Sequence, residues 1–144
     1  MHLPFRRLAT EAQLPSAQHP GDAGLDLRAL ADTEVKPGDR AMVATGVSVA
    51  IPPGHAGLVL PRSGLASKQG LTLVNSPGLI DAGYRGELIC AVVNLDQDNA
   101  VYISKGDRIA QLVIVALPDV TPRWAEELPA SERGARGFGS TGRE

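Results

Sequence analysis

No dozen consecutive residues of this chain are both free of proline and glycine and patterned with the 3.6-residue apolar spacing of a helix. The constraint is severe, because proline removes a backbone donor and glycine favours turns over helix and strand interiors. The chain carries 16 glycines and 11 prolines in 144 residues, and many fall between short apolar runs. Lys36-Pro37-Gly38-Asp39, Pro52-Pro53-Gly54-His55 and Ser104-Lys105-Gly106-Asp107 read as turns. Between them, Val47-Ser48-Val49-Ala50-Ile51 alternates as a half-buried strand does, and the continuous runs 88–93 and 112–117 read as strands covered on both faces. Gly-Asp-Arg occurs at 38–40 and again at 106–108, each time entering an apolar run, which two similar turns explain as well as a duplication does.

Many short strands in a chain about one domain long predict an all-β fold. The expected architecture is a single-domain, jelly-roll-like barrel or sandwich, which handles its sheet edges by closing or doubling the sheet. The helix candidates are short: 63–68, with Ser63 as N-cap, and 123–128, between Pro122 and Pro129. Beyond Pro129 the character changes, since 130–144 holds four glycines and three arginines with Phe138 as its only large apolar residue. A β core over 1–129 and a flexible glycine-rich tail over 130–144 are therefore expected.

Charge and cysteine content remove whole classes of function. With 14 basic and 16 acidic residues the net charge is -2, which offers no global field for nucleic acid or an anionic membrane. Cys90 is single, and His2, His19 and His55 form no cluster at zinc-ligand spacing. The longest apolar-rich stretch, 109–117, contains Gln111 and stops at Pro118, so neither a membrane span nor a signal peptide is expected, and a reducing cytoplasm is the expected compartment.

Three segments carry more polar chemistry than a turn needs. Pro61-Arg62-Ser63-Gly64-Leu65-Ala66 sets a cation, a hydroxyl and a glycine at the start of a helical turn, which suits a phosphate, although this segment alone favours a capped helix with a surface arginine. Asn75-Ser76-Pro77-Gly78-Leu79-Ile80-Asp81-Ala82-Gly83-Tyr84-Arg85-Gly86-Glu87 reads as a hairpin. Its Asp81 is either a turn former or a general base beside apolar Leu79 and Ile80, activating water for attack on phosphorus. Its backbone offers both donors and acceptors to the edge of a base, and Tyr84 either packs against a sugar or joins the core. The tail Arg133-Gly134-Ala135-Arg136-Gly137-Phe138-Gly139-Ser140-Thr141-Gly142 combines phosphate-pairing arginines, adaptable glycines and one stacking aromatic, a composition shared by a phosphate clasp and an RNA-binding tail. A Walker-type loop is absent from the sequence, which argues against a P-loop NTPase.

Taken in order, these segments resemble the homotrimeric dUTPase family, the deoxyuridine triphosphate nucleotidohydrolases. The five matching motifs are Ala23-Gly24-Leu25-Asp26-Leu27, residues 61–66, residues 78–87, Gly106-Asp107-Arg108-Ile109-Ala110-Gln111-Leu112, and residues 133–142. The resemblance runs from about residue 20 to residue 142. It implies hydrolysis of dUTP to dUMP and pyrophosphate, which lowers dUTP and supplies dUMP for thymidylate synthesis. Asp81 would activate the water that attacks the α-phosphorus. Arg62, Ser63, Gly64 and Gln111 would contact phosphates, with Asp26 organising Arg62. The hairpin, through Asn75, Gly78, Leu79, Ile80 and Ile89, would read uracil and exclude thymine's methyl group, while Tyr84 would lie under deoxyribose and leave no room for a 2′-hydroxyl.

The tail would close over the nucleotide, Phe138 stacking on uracil while Arg133, Ser140 and Thr141 face phosphates, with Gly139 also among the substrate-binding residues. In the family that tail is donated by a neighbouring subunit, so the resemblance implies a homotrimer with active sites at subunit interfaces. Mg2+ is the implied cofactor, chelated by the triphosphate and its waters with no direct protein ligand. Arg136 departs from the family's pattern, standing where a glycine is common. Two other readings remain at this point. One is a dCTP deaminase-related enzyme, a group that depends on a catalytic glutamate and an Arg-Ser-Ser type second motif in place of Arg62-Ser63-Gly64. The other is a non-catalytic β-sandwich whose Arg/Gly tail binds RNA.

Overall fold

The computed structural model of the chain describes residues 2–135. Phe138, Gly139, Ser140 and Thr141 of the expected lid, and Arg136 with them, lie outside the described residues. Within the described residues there are eleven strands and one helix. The strands are β1 (Phe5–Arg7), β2 (Leu25–Arg28), β3 (Thr33–Val35), β4 (Arg40–Ala44), β5 (Val47–Val49), β6 (His55–Pro61), β7 (Leu71–Leu73), β8 (Gly78–Ile80), β9 (Ile89–Asn94), β10 (Val101–Ile103) and β11 (Arg108–Ala116), with α1 (Ser63–Gln69) between β6 and β7. This is the all-β, jelly-roll-like architecture that the turn spacing predicts.

Every pairing is antiparallel, in four small sheets: β1-β5, β10-β3, β2-β11-β6-β8 and β4-β9-β7. All four contribute to one core, in which Leu27 and Leu112 of one sheet meet Val92 and Cys90 of another, with Val35 and Val49 from the two-stranded pairs. Truncating one of the fully buried leucines to alanine costs about 2–5 kcal/mol, a large share of the stability of a domain this size. Burial pushes the Cys90 thiol up to about 12, so it is a small core residue and no nucleophile at neutral pH. A buried asparagine holds the β9–β10 connection: Asn94 donates to the Val35 and Asn99 carbonyls at 3.0 and 2.8 Å and accepts the Asp96 N–H at 2.9 Å. The half-buried Asp96 accepts the backbone N–H groups of Asp98 and Asn99, and these bonds hold its carboxyl below its ordinary value.

The structure corrects the strand periodicity. Val47, Ser48 and Val49 are all buried, so the alternating segment is covered on both faces, Ser48 included. Conversely, the continuous run in β9 alternates: Cys90, Val92 and Asn94 are inside, whereas Ile89 is exposed and Ala91 and Val93 are half-buried. The outer face of β9 has no layer over it within one chain, and apolarity alone does not reveal which element lies on a strand.

Only one of the two helix candidates forms. Helix α1 follows Pro61, begins after an extended Arg62 and ends at Gly70, whose φ of +68 and N–H bonds to the Leu65 and Ala66 carbonyls close the last turn. Arg62 is the N-cap and no side chain caps the helix, so Ser63 sits inside the first turn with its hydroxyl left over. Segment 123–128 is not helical. Six residues barely exceed one turn, too few to offset the cost of nucleation without a packed face, and Trp124 is fully exposed. Strand order ends at Ala116; residues 117–135 form no helix or strand, and the Leu117 N–H bond to Gly54 at 2.8 Å ties the start of that segment to the core.

Candidate active site

Strands β2 and β11 are neighbours, and Asp26 stands directly opposite Gln111. Arg108 faces Arg28, while Ala110 already faces Leu27, so Ile109 is an extra residue that bulges β11. The bulge has a chemical result. Residues three apart point to opposite sides of a regular strand, but here Arg108 and Gln111 both share the side of Asp26. Arg108 Nη1 reaches Asp26 Oδ2 at 3.3 Å, and the Gln111 amide donates to the Pro61 carbonyl at 3.1 Å.

The second partner of Asp26 comes from the β6–α1 junction. Arg62 Nε lies 3.5 Å from Asp26 Oδ1, and Arg62 Nη1 donates to the Arg108 carbonyl at 3.0 Å. Asp26 is buried, with only 8% of its surface exposed, and its backbone N–H bonds to the Ser16 carbonyl at 3.0 Å. A buried carboxylate is tolerable because two guanidiniums flank it. The same pairing restrains Arg62, since Nε and one terminal nitrogen are spoken for while its side chain stays 29% exposed. The structure thus brings Asp26 and Arg62 together as a pair, with Arg108 as the second cation.

Arg62, Ser63, Gly64 and Gln111 line one open cleft of about 450 Å³, completed by Gln18, Asp22, Gly24 and Val113. Asp22 stands at its rim with its carboxylate accepting the His19 N–H at 2.9 Å. Gly24 lets the Gln111 side chain approach closely, because a Cβ there would displace its amide. The first, second and fourth motifs therefore converge on one polar hollow.

The hairpin does not join this cleft within the chain. Strand β8 pairs with β6 in the register Val59↔Gly78, Leu58↔Leu79, Gly57↔Ile80. Ile80 is thus opposite Gly57, five residues from Arg62 and about 16 Å away along β6, and Asp81 lies further on. Asp81 is exposed, its carbonyl accepting the Tyr84 N–H at 3.0 Å. Tyr84, 43% exposed, donates its hydroxyl to the Glu87 carbonyl at 2.9 Å. Leu79 and Ile89 are exposed, at 64% and 46%, while Ile80 is half-buried. Asn75 is exposed and its amide sits against Gly78, which is buried between Asn75 and Val59. Strand β8 is the last strand of its sheet, so one backbone edge of Gly78–Ile80 is unpaired. Arg133 is exposed in the segment after β11.

Comparisons with known proteins identify the family. The family model described as dUTPase matches residues 10–142. This chain belongs to the dUTPase family. The deoxyuridine 5'-triphosphate nucleotidohydrolase of Streptomyces avermitilis is 53% identical over 138 residues, 96% of this chain and 79% of its own length. That of Corynebacterium glutamicum is 50% identical over 137 residues, 95% of this chain and 92% of its own. Among solved dUTPases, that of Staphylococcus bacteriophage 80alpha with dUpNHpp has a TM-score of 0.91 at 34% identity, covering 98% of each chain. The dUTPase of phage phi11 of S. aureus, described as coordinating a structural Mg(II) ion, has a TM-score of 0.82 at 31% identity, covering 88% of this chain and 98% of its own.

Two features of this dUTPase site escaped the sequence reading. Arg108 stands inside a recognised motif, but its place beside Asp26 depends on a bulge that no residue type announces. Gln18 and Asp22 belong to the cleft wall although they lie before the first motif.

Proposed function

We propose that the chain hydrolyses dUTP to dUMP and pyrophosphate in a homotrimer, at sites built from more than one copy. The observation that carries this reading is the separation along β6 between Arg62 and the hairpin bearing Asp81. A base that activates water for attack on the α-phosphorus must lie beside the phosphate donors. Along one chain it lies too far off, whereas the hairpin of a second copy can enter the cleft of the first. A closed ring of three such contacts uses every cleft and every hairpin once.

In this reading Arg62, Ser63, Gly64 and Gln111 bind the phosphates and aim donors at the charge that develops as the bridging P–O bond breaks. The open edge of β8 supplies backbone donors and acceptors to uracil, Asn75 adds its amide, and Leu79, Ile80 and Ile89 wall out a methyl group. Tyr84 lies under the deoxyribose. Asp81 takes the proton of the attacking water, the new P–O bond forms, and pyrophosphate leaves. Arg133, Phe138, Gly139, Ser140 and Thr141 close over the bound nucleotide from a neighbouring copy.

The donor set suits a Mg2+ that arrives with the substrate. Asp26 already holds two guanidiniums, Asp22 a backbone N–H, and among the described residues no three His, Cys, Asp or Glu side chains gather as ligands. Mg2+ retains waters readily and binds the phosphates themselves. Among the described residues no helix is long and apolar enough to cross a membrane. The cytoplasmic compartment expected from the sequence remains part of this reading.

A pyrophosphate-release assay over dUTP, dTTP, UTP and dCTP tests the function. Selective turnover of dUTP is expected. Ammonia release from dCTP would instead point to the deaminase, and salt-sensitive RNA binding unaffected by Asp81→Asn would point to the RNA-binding sandwich.

A further inference from the structure

Glu87 joins the hairpin to the body of the chain through two different groups. Its side-chain Oε1 accepts the Gly46 N–H at 2.7 Å, and its carbonyl oxygen accepts the Tyr84 hydroxyl at 2.9 Å. Gly46 is a fixed donor. Its φ is +71, and a Cβ there would sit 2.7 Å from Ala12 Cβ and 3.0 Å from Leu30 Cδ1, so neither the conformation nor the space admits another residue. Its carbonyl is held as well, accepting the Leu8 N–H at 2.8 Å. Next to it, Thr45 Oγ1 donates to the Leu88 carbonyl at 2.6 Å, and the Leu88 N–H bonds to the Val47 carbonyl at 2.8 Å. The root of the hairpin is therefore registered against the turn between β4 and β5.

At the tip, the Tyr84 ring folds over Gly86, where any Cβ would meet the phenol. Among the described residues the ring's hydroxyl bonds to Glu87 alone, and the ring's height above the sugar site follows the position of that carbonyl. The geometry points to Glu87 as a positioning residue for sugar selection: its carboxylate, locked on Gly46, fixes the carbonyl that holds Tyr84. This inference rests on the reading that deoxyribose lies on Tyr84. Steric exclusion of one hydroxyl demands a wall that does not retreat, so loosening the anchor admits the ribonucleotide before it impairs the deoxyribonucleotide. Such a role differs from general support of the fold, which would affect both substrates alike.

The test compares kcat/KM for dUTP and UTP in wild type, Glu87→Ala, Glu87→Asp and Glu87→Gln. The alanine and aspartate variants, which remove or retract the acceptor, are expected to lower the dUTP-to-UTP ratio about tenfold. The glutamine variant keeps an acceptor oxygen at the same reach and is expected to restore the wild-type ratio. Tyr84→Phe should lower the ratio too, and combining it with Glu87→Asp should add little, because both act through one bond. A ratio unchanged in Glu87→Asp, with wild type selective for dUTP, overturns the inference; should Glu87→Ala not fold, the aspartate variant decides. A wild type that does not distinguish the two nucleotides overturns the sugar-site reading instead.

Discussion

Two inactive variants should make an active enzyme when mixed. Arg62→Ala removes the phosphate donor but leaves Asp26 its second guanidinium, Arg108 at 3.3 Å, so the buried carboxylate is not orphaned. Asp81→Asn removes the proposed base from an exposed hairpin position and disturbs no core contact. General-base catalysis contributes about 10²–10⁴-fold, so Asp81→Asn alone should retain at most about one hundredth of wild-type turnover. If each site takes its cleft from one copy and its base from the next, a randomly reassembled 1:1 mixture has a native site wherever an intact cleft meets an intact base. Each condition holds with probability one half, so about a quarter of wild-type activity should return in the closed ring. The assay is pyrophosphate release from dUTP after the two variants are unfolded together and refolded, with each refolded alone as control. If the cleft and base of one chain served each other, no mixture would exceed the mean of the two controls, and that result would refute the composite site.

Other consequences are open to direct measurement. Gly24→Ala, at a position whose φ is not left-handed, should leave thermal stability nearly unchanged but displace Gln111, lowering kcat/KM for dUTP about tenfold; an unchanged value would remove Gln111 from the phosphate site. Deleting 133–144 should cut dUTP turnover by more than an order of magnitude while far-UV circular dichroism and the melting temperature stay near wild type, since β11 ends at Ala116; normal turnover would sink the lid. Cys90, raised from 9.0 to about 12, should resist thiol reagents at pH 8 in the native protein and react after denaturation. The sign of its linkage is set: a raised thiol stabilises the fold fully below pH 9, and that contribution is lost as pH climbs from 9 towards 12, which alkaline unfolding curves of wild type and Cys90→Ala would compare.

The two Gly-Asp-Arg segments illustrate what was legible in the sequence. Both are turns with a positive-φ glycine, +74 at Gly38 and +88 at Gly106, and both lead straight into strands. Turn chemistry is local, so three residues suffice to announce it. The polar cleft was legible too, because Asp26, Arg62, Ser63, Gly64 and Gln111 stand in recognisable motifs that the fold does bring together. What lay beyond reach depended on contacts between distant segments. The bulge at Ile109 turns Arg108 towards Asp26, and its cause is pairing with β2. Burial of Ser48 depends on what covers the outer side of β5, and exposure of Ile89 on what fails to cover β9. The same limit applies to the hairpin, whose motif says what it can recognise but not how far along β6 it lies from Arg62.

The unpaired edge of Gly78–Ile80 has a colloidal consequence. A row of free backbone groups flanked by exposed Leu79 is a template for any extended chain, and proteins guard such edges by keeping them short and bounding them with proline and charge. Here the edge spans three residues, with Pro77 before it and Asp81 after it. The carboxylate proposed to activate water thus also stands as a gatekeeper against edge-to-edge association. Neutralising it would weaken solubility as well as turnover, and nucleotide seated on the edge would protect the protein from self-association by occupying the groups that another strand would use.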